Sequence, residues 1–142
     1  MGVPLMLGKL KAKSALVVAA AGMAVVVGAG TASANPNASY IGYGYTTYGS
    51  GVWCVQHLIN YMTNHPGYTP MLPGAVTLGE DNSFGPATQG MVELLQRSYN
   101  AQPGVAQLSV DGVVGPATGN VILNWAHQDP YQPYCQGYIP SS

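Results

Sequence analysis

Apolar residues recur at three- and four-residue steps in three separate segments of the chain, which is the spacing of one face of an α-helix. The first segment begins after Ser50, a plausible N-cap, and is stopped by Pro66 and Gly67; the others begin at Pro86 and Pro116. Their apolar positions are, in chain order, Val52, Val55, Leu58, Ile59 and Met62; Met91, Val92, Leu95 and Tyr99; and Val121, Ile122 and Trp125. The pattern predicts an all-α fold, a small bundle of three helices with long loops and flexible termini.

The second and third segments repeat each other at an offset of thirty residues. The letters Gly-Pro-Ala-Thr occur at 85–88 and again at 115–118, each time shortly after an aspartate, Asp81 or Asp111. The apolar positions that follow also coincide at this offset. Because proline at the first helical position loses no hydrogen bond, each block suits a helix start. The repeat predicts an internal duplication in which an aspartate-to-threonine loop begins a core helix.

A leader precedes these segments. Three lysines, an apolar run and the small residues Ala32-Ser33-Ala34 form the three parts of a secretory signal peptide, predicted to span 1–34. The alternative is an uncleaved membrane anchor, for which the run is short. Beyond the leader we expect a Tyr- and Gly-rich lead-in over 35–50, a helical domain over 51–126 and a tail over 127–142.

Removal of the leader changes the charge of the protein. Arg97 would be the one remaining Lys or Arg side chain, against five acidic residues, giving a net charge near −4. Phosphate binding needs clustered basic side chains, so nucleic acid and anionic membrane surfaces are disfavoured as partners. The signal peptide itself leads us to expect a secreted, extracellular protein.

Both cysteines, Cys54 and Cys135, lie beyond the leader. An even number of cysteines in an exported chain favours a disulfide, which would fix the Pro- and Gly-rich tail. The alternative is a nucleophilic Cys54 assisted by His57.

Three stretches resemble the peptidoglycan-binding domain family. "VWCVQHLI" is similar to its opening Val-x-x-Leu-Gln helix, "DNSFGPATQGMVELLQ" to its Asp-Gly-x-Phe-Gly-x-x-Thr centre, and "VDGVVGPAT" to its closing Asp-Gly-x-x-Gly-x-x-Thr. This chain departs from the pattern at Asn82, where the family has Gly, and at Leu95, where it has Phe. Its connection over 67–82 is also longer. Asparagine tolerates the left-handed backbone that glycine would supply.

The resemblance implies a duplicated three-helix bundle and a non-catalytic protein that binds peptidoglycan and needs no cofactor. Family members typically accompany a cell-wall enzyme, and none is visible in this chain, so a separate enzyme is a candidate partner. Because helix starts expose N–H groups, we expect the two loops to flank a groove for stem-peptide carboxylates, sugars and amides. The predicted ligand-binding residues are Asp81, Asn82, Ser83, Thr88, Asp111, Gly112 and Thr118. The alternative is that these residues only close turns and cap helices.

Other functions are weaker interpretations of the same residues. Asp81 and Asp111 could form an acid/base pair of a wall hydrolase, but a repeated folding role explains their equivalent positions more simply. The histidines lack the short spacing typical of a metal site, and we predict none. The four tyrosines of the lead-in, Tyr40, Tyr43, Tyr45 and Tyr48, either cover a core edge or stack on sugars. A secreted inhibitor or protein-interaction module that uses its tyrosine-rich ends is the main functional alternative.

Overall fold

The computed structural model describes residues 34–67 and 71–142. The predicted signal peptide lies outside these residues apart from Ala34. Within the described ranges, no helix is long and apolar enough to cross a membrane. The all-α prediction is confirmed, because the described residues contain helices and isolated bridges but no strand.

The described residues contain four helices, one more than the sequence predicted. They are α1 (Ser50–Asn64), α2 (Pro86–Asn100), α3 (Pro116–Trp125) and a short α4 (Gln132–Cys135) in the tail. Proline occupies the first turn of α2 and α3, as expected from its missing N–H. Ser50 was expected to cap α1, but it is the first helical residue and Gly49, at a φ of 112°, precedes it.

The predicted apolar stripes form the core. α1 packs against α3 and α4, and the five stripe residues of α1 are fully buried. Phe84 and Val114, which occupy equivalent positions before α2 and α3, are buried as well. Two residues differ from the prediction: Tyr99 and Trp125 are half-buried at the edge of the core, with ring centroids 5.8 Å apart.

The predicted disulfide between Cys54 and Cys135 is present and joins α1 to α4, with both residues fully buried. This pairing removes Cys54 as a candidate nucleophile. The tail packs against the helices, because Ile139 is fully buried and the backbone of Pro140 crosses α3 at Gly119. A side chain at that glycine would overlap the Pro140 carbonyl oxygen.

The lead-in has no regular secondary structure, yet it is hydrogen-bonded at several points. Ile41 and Val114 exchange backbone hydrogen bonds of 3.1 and 2.8 Å, and the Phe84 N–H donates to Thr47 O at 2.9 Å. Asn35 donates from its backbone to Ser141 Oγ at 2.9 Å. The lead-in therefore connects both loops to the C-terminal segment.

Candidate functional site

The first loop is organised by a buried glutamine of α1, Gln56. Its Nε2 donates to Asp81 Oδ1 (2.9 Å), Ser83 O (2.9 Å) and Thr88 Oγ1 (3.1 Å). Its Oε1 accepts the Asn82 N–H at 3.2 Å. The carboxamide thus connects the loop to the start of α2 through one side chain that is 1% exposed.

The second loop has the same arrangement around Gln96 of α2. Its Nε2 donates to Asp111 Oδ1 (3.0 Å), Val113 O (3.1 Å) and Thr118 Oγ1 (3.1 Å). Its Oε1 accepts the N–H groups of Asp111 (3.1 Å) and Gly112 (3.0 Å).

An asparagine one helical turn after each glutamine extends the correspondence. Asn60 exchanges two hydrogen bonds with the backbone of Leu78, at 2.9 and 2.7 Å. Asn100 exchanges two with Leu108, at 2.8 and 2.7 Å. Similar hydrogen bonds from a Gln-x-x-x-Asn pair on the preceding helix are therefore found around both aspartate-to-threonine loops.

The loop amides predicted to bind anions are already hydrogen-bonded within the protein. The N–H groups of Ser83 and Val113 donate to the preceding aspartates, at 3.0 and 2.9 Å. Those of Phe84 and Val114 donate to the lead-in. The hydrogen bond from Gln56, followed by that from the Ser83 N–H, lowers the pKa of Asp81. These contacts support the turn-closing role of the two loops.

Loop geometry explains the residues at the second position. Asn82 has a φ of 64° and Gly112 a φ of 72°, so both adopt the left-handed conformation. A Cβ at Gly112 would also lie 2.6 Å from Cγ of Gln89. Asparagine can therefore occupy position 82, whereas position 112 also lacks space for a side chain.

The seven predicted ligand-binding residues differ in accessibility. Thr88, Gly112 and Thr118 are buried, so their side chains or backbone face the protein interior. Asp81, Ser83 and Asp111 are exposed, and Asn82 is half-buried. Of the seven, Asn82 lines a groove, and no residue of the second loop contributes to that groove.

This groove, of about 510 Å³, lies between the start of α1, the first loop and the tail. Its lining residues are Ser50, Trp53, Asn82, Tyr131 and Tyr134. The rings of Tyr131 and Tyr134 meet Trp53 at steep angles, 81° and 77°, with centroid distances of 5.7 and 6.3 Å. We call these five residues the aromatic groove.

A histidine that lies between two carboxylates packs against the aromatic groove. The Nδ1 atom of His57 lies 3.0 Å from Glu80 Oε2, and its Nε2 atom lies 3.2 Å from Asp129 Oδ2. The imidazole stacks on Trp53 at 4.6 Å and 11°. Asp129, 5% exposed, also accepts the Tyr131 N–H at 2.7 Å. These contacts fix Trp53 and Tyr131 relative to each other.

The same contacts limit the chemistry of the cluster. Nδ1 of His57 is hydrogen-bonded to Glu80, and Nε2 is buried: it lies 3.2 Å from Asp129 Oδ2 but makes no hydrogen bond within the described residues. Nδ1 of His65 lies 2.8 Å from Tyr61 O, and Nδ1 of His127 lies 2.8 Å from Asn124 O. Among residues 34–67 and 71–142, no three histidine, cysteine or acidic side chains are grouped so that they could hold a metal ion.

The tyrosines of the lead-in are exposed to different degrees. Tyr43 packs its edge on Phe84 at 5.7 Å, and Tyr40 contacts Tyr45 at 5.3 Å. Tyr48 is 70% exposed. The lead-in thus covers part of the core edge and still presents aromatic surface.

Sequence reasoning missed Gln56, Gln96 and the aromatic groove. The repeated Gln-x-x-x-Asn spacing, at 56–60 and 96–100, is the signal that could have revealed the two glutamines. Comparisons with known protein families, curated proteins and solved structures find no match for this chain.

Proposed function

We propose that this chain is a secreted, non-catalytic protein that binds peptidoglycan and associates with the bacterial cell wall. The architecture we propose is the duplicated three-helix bundle of the peptidoglycan-binding family, extended by the disulfide-linked tail and α4. The matching hydrogen bonds around Gln56 and Gln96 support the duplication. In both loops, the aspartate and the threonine of the family-like motif accept hydrogen bonds from this glutamine.

The observation that carries the functional proposal is the aromatic groove beside Asn82. Concave sites with aromatic walls and a few polar groups are typical of small-ligand binding. The disulfide next to this groove is consistent with an oxidising compartment, as secretion requires. Binding without catalysis is proposed because His57 lies between Glu80 and Asp129, whose oxygens are 3.0 and 3.2 Å from its ring nitrogens.

Co-sedimentation of the chain from residue 35 onward with purified, insoluble peptidoglycan tests this function. We expect the wild-type protein to appear in the pellet at low and moderate salt, and the Trp53→Ala variant to remain in the supernatant. Trp125→Ala is the matched control, because Trp125 packs on Tyr99 and does not line the groove. Wild-type protein that stays in solution would contradict the proposal, and release of soluble muropeptides would replace it with a hydrolase.

The exposed tyrosines favour one second candidate, a protein-interaction or inhibitor module. Tyr45 and Tyr48 are more than half exposed, and tyrosine is enriched at protein interfaces. A separate cell-wall enzyme is the partner we would test. No sedimentation with the wall, combined with inhibition of such an enzyme that Tyr48→Ala removes, would favour this function.

A further inference from the structure

We propose that the aromatic groove binds the glycan strand of the wall polymer, with an N-acetylated sugar against Trp53, and does not bind the stem peptide. This inference rests on the proposed function and names the part of the polymer that is recognised.

The charge around the groove disfavours the carboxylates of stem peptides. Glu80 and Asp129 both lie next to His57, whose imidazole stacks on Trp53. Asp81 precedes Asn82 and is exposed. Arg97, which carries the only Lys or Arg charge of residues 34–142, lines a different groove beside Leu94 and Gln102. An anionic ligand would find acidic neighbours and no basic side chain here.

The first loop offers a carboxylate no free backbone donor. The N–H groups of Asn82, Ser83 and Phe84 are all used inside the protein. A carboxylate bound at this loop would have to displace one of these hydrogen bonds. A neutral ligand has no such requirement.

The aromatic side chains suit the apolar face of a sugar ring. Tyr131 is 54% exposed and Tyr134 49% exposed, so both rings have surface available for a ligand. Trp53 is half-buried and held in place by its stack on His57, so little side-chain freedom is lost on binding. A volume of about 510 Å³ lies within the range of small-ligand sites, roughly 300–1,000 Å³.

Two polar side chains at the groove can recognise an acetamido group. Within the described structure, neither the Ser50 hydroxyl nor the Asn82 carboxamide has a hydrogen bond to another group. A carboxamide can donate one hydrogen bond and accept another, which matches the C=O and N–H of an N-acetyl group. These two hydrogen bonds to the acetamido group would distinguish N-acetylated sugars from glucans, which lack that group.

The tail is needed to complete the groove. Tyr131 and Tyr134 lie just before Cys135, which is bonded to Cys54 next to Trp53 in the chain. Asp129, in the same segment, places its Oδ2 atom 3.2 Å from His57 Nε2. Loss of the disulfide should therefore weaken glycan binding, even where the helices persist.

Calorimetric titration of the chain from residue 35 onward tests the proposal with three soluble probes: a β-1,4-linked N-acetylglucosamine tetramer, the glucose tetramer of the same linkage, and a free stem peptide. We expect heat of binding with the N-acetylated tetramer and none with the other two. Replacing Tyr134 with alanine should weaken binding about tenfold, equivalent to the loss of one aromatic contact. Tyr48→Ala, a change to an exposed tyrosine outside the groove, should leave it unchanged. Trp53→Phe is a second variant that keeps an aromatic ring at position 53 but loses part of the indole surface, and we expect it to weaken binding as well.

Binding of the stem peptide without the glycan, or unchanged affinity in both Tyr134→Ala and Trp53→Phe, would overturn the inference. Sedimentation with whole peptidoglycan separates the two proposals. If the protein pellets with the wall polymer and ignores the N-acetylated tetramer, the glycan site is wrong and the wall-binding function stands. If it does neither, both are wrong.

Discussion

Replacing Gln96 with leucine tests the role of the buried glutamines in the repeated loops. The side chain is fully buried and makes five hydrogen bonds with the second loop and the start of α3. Leucine has a similar volume and makes none of them. Asp111 is exposed, so water can replace the glutamine there, but Gly112 and Thr118 are buried. A buried polar group left unpaired costs about 1–3 kcal/mol, so two of them predict a loss near 3 kcal/mol.

Thermal unfolding followed by circular dichroism measures this loss. For a domain of this size, about 3 kcal/mol corresponds to a fall in Tm of roughly 10–25 °C. Gln102→Leu is the matched control, because the Gln102 side chain is partly exposed and has no hydrogen bond; its Tm should stay close to wild type. A Gln96→Leu variant that melts within a few degrees of wild type, or a control that loses as much, would refute the assignment.

Three other changes give sharp expectations. Gly119→Ala places a methyl group against the Pro140 carbonyl and should destabilise the protein by about 1–3 kcal/mol, with faster amide exchange in the C-terminal segment. Gly90→Ala, where space is open, should instead stabilise the protein by roughly 0.5–1 kcal/mol. Reducing the disulfide, which spans 81 residues, should lower the free energy of unfolding by about 4–5 kcal/mol in chemical denaturation, and an unchanged midpoint would contradict this. The lowered pKa of Asp81 predicts a contribution to stability that is present above the unfolded-state pKa and is lost as the pH falls through the folded-state pKa. Carboxyl NMR should show a higher titration midpoint for Asp81 in Gln56→Leu, and an unchanged midpoint would exclude Gln56 as the main cause.

The helices were predictable because their information is local. A period of three to four residues marks the buried face of α1, and proline marks the starts of α2 and α3. The short α4 had no such pattern, because four residues are too few to show a period. Its position depends on the distant Cys54, to which Cys135 is bonded.

The glutamines were missed for a different reason. In a sequence pattern, Gln56 and Gln96 are polar interruptions of apolar faces, and nothing local shows which groups they bind. The separation from glutamine to aspartate is 25 residues in the first unit and 15 in the second, so the long connection hides the correspondence. A comparison that allowed for an insertion of this length would align the two units.

The aromatic groove was predictable only in part. The cysteine count predicted the disulfide, but which side chains the tail brings to α1 depends on packing. His57 was considered as a helper for a nucleophilic cysteine, and it is instead held between Glu80 and Asp129 beneath Trp53. Contacts between residues almost eighty positions apart leave no periodic signal.

NMR titration of the isotope-labelled chain from residue 35 onward with solubilised peptidoglycan fragments tests the central claim most directly. We predict that shift changes concentrate on the Trp53 indole N–H, the Asn82 side-chain amide and the amides of Tyr131 and Tyr134, while the Trp125 indole stays unchanged. Spectra that do not change, or changes confined to surfaces away from these residues, would contradict wall binding at the aromatic groove.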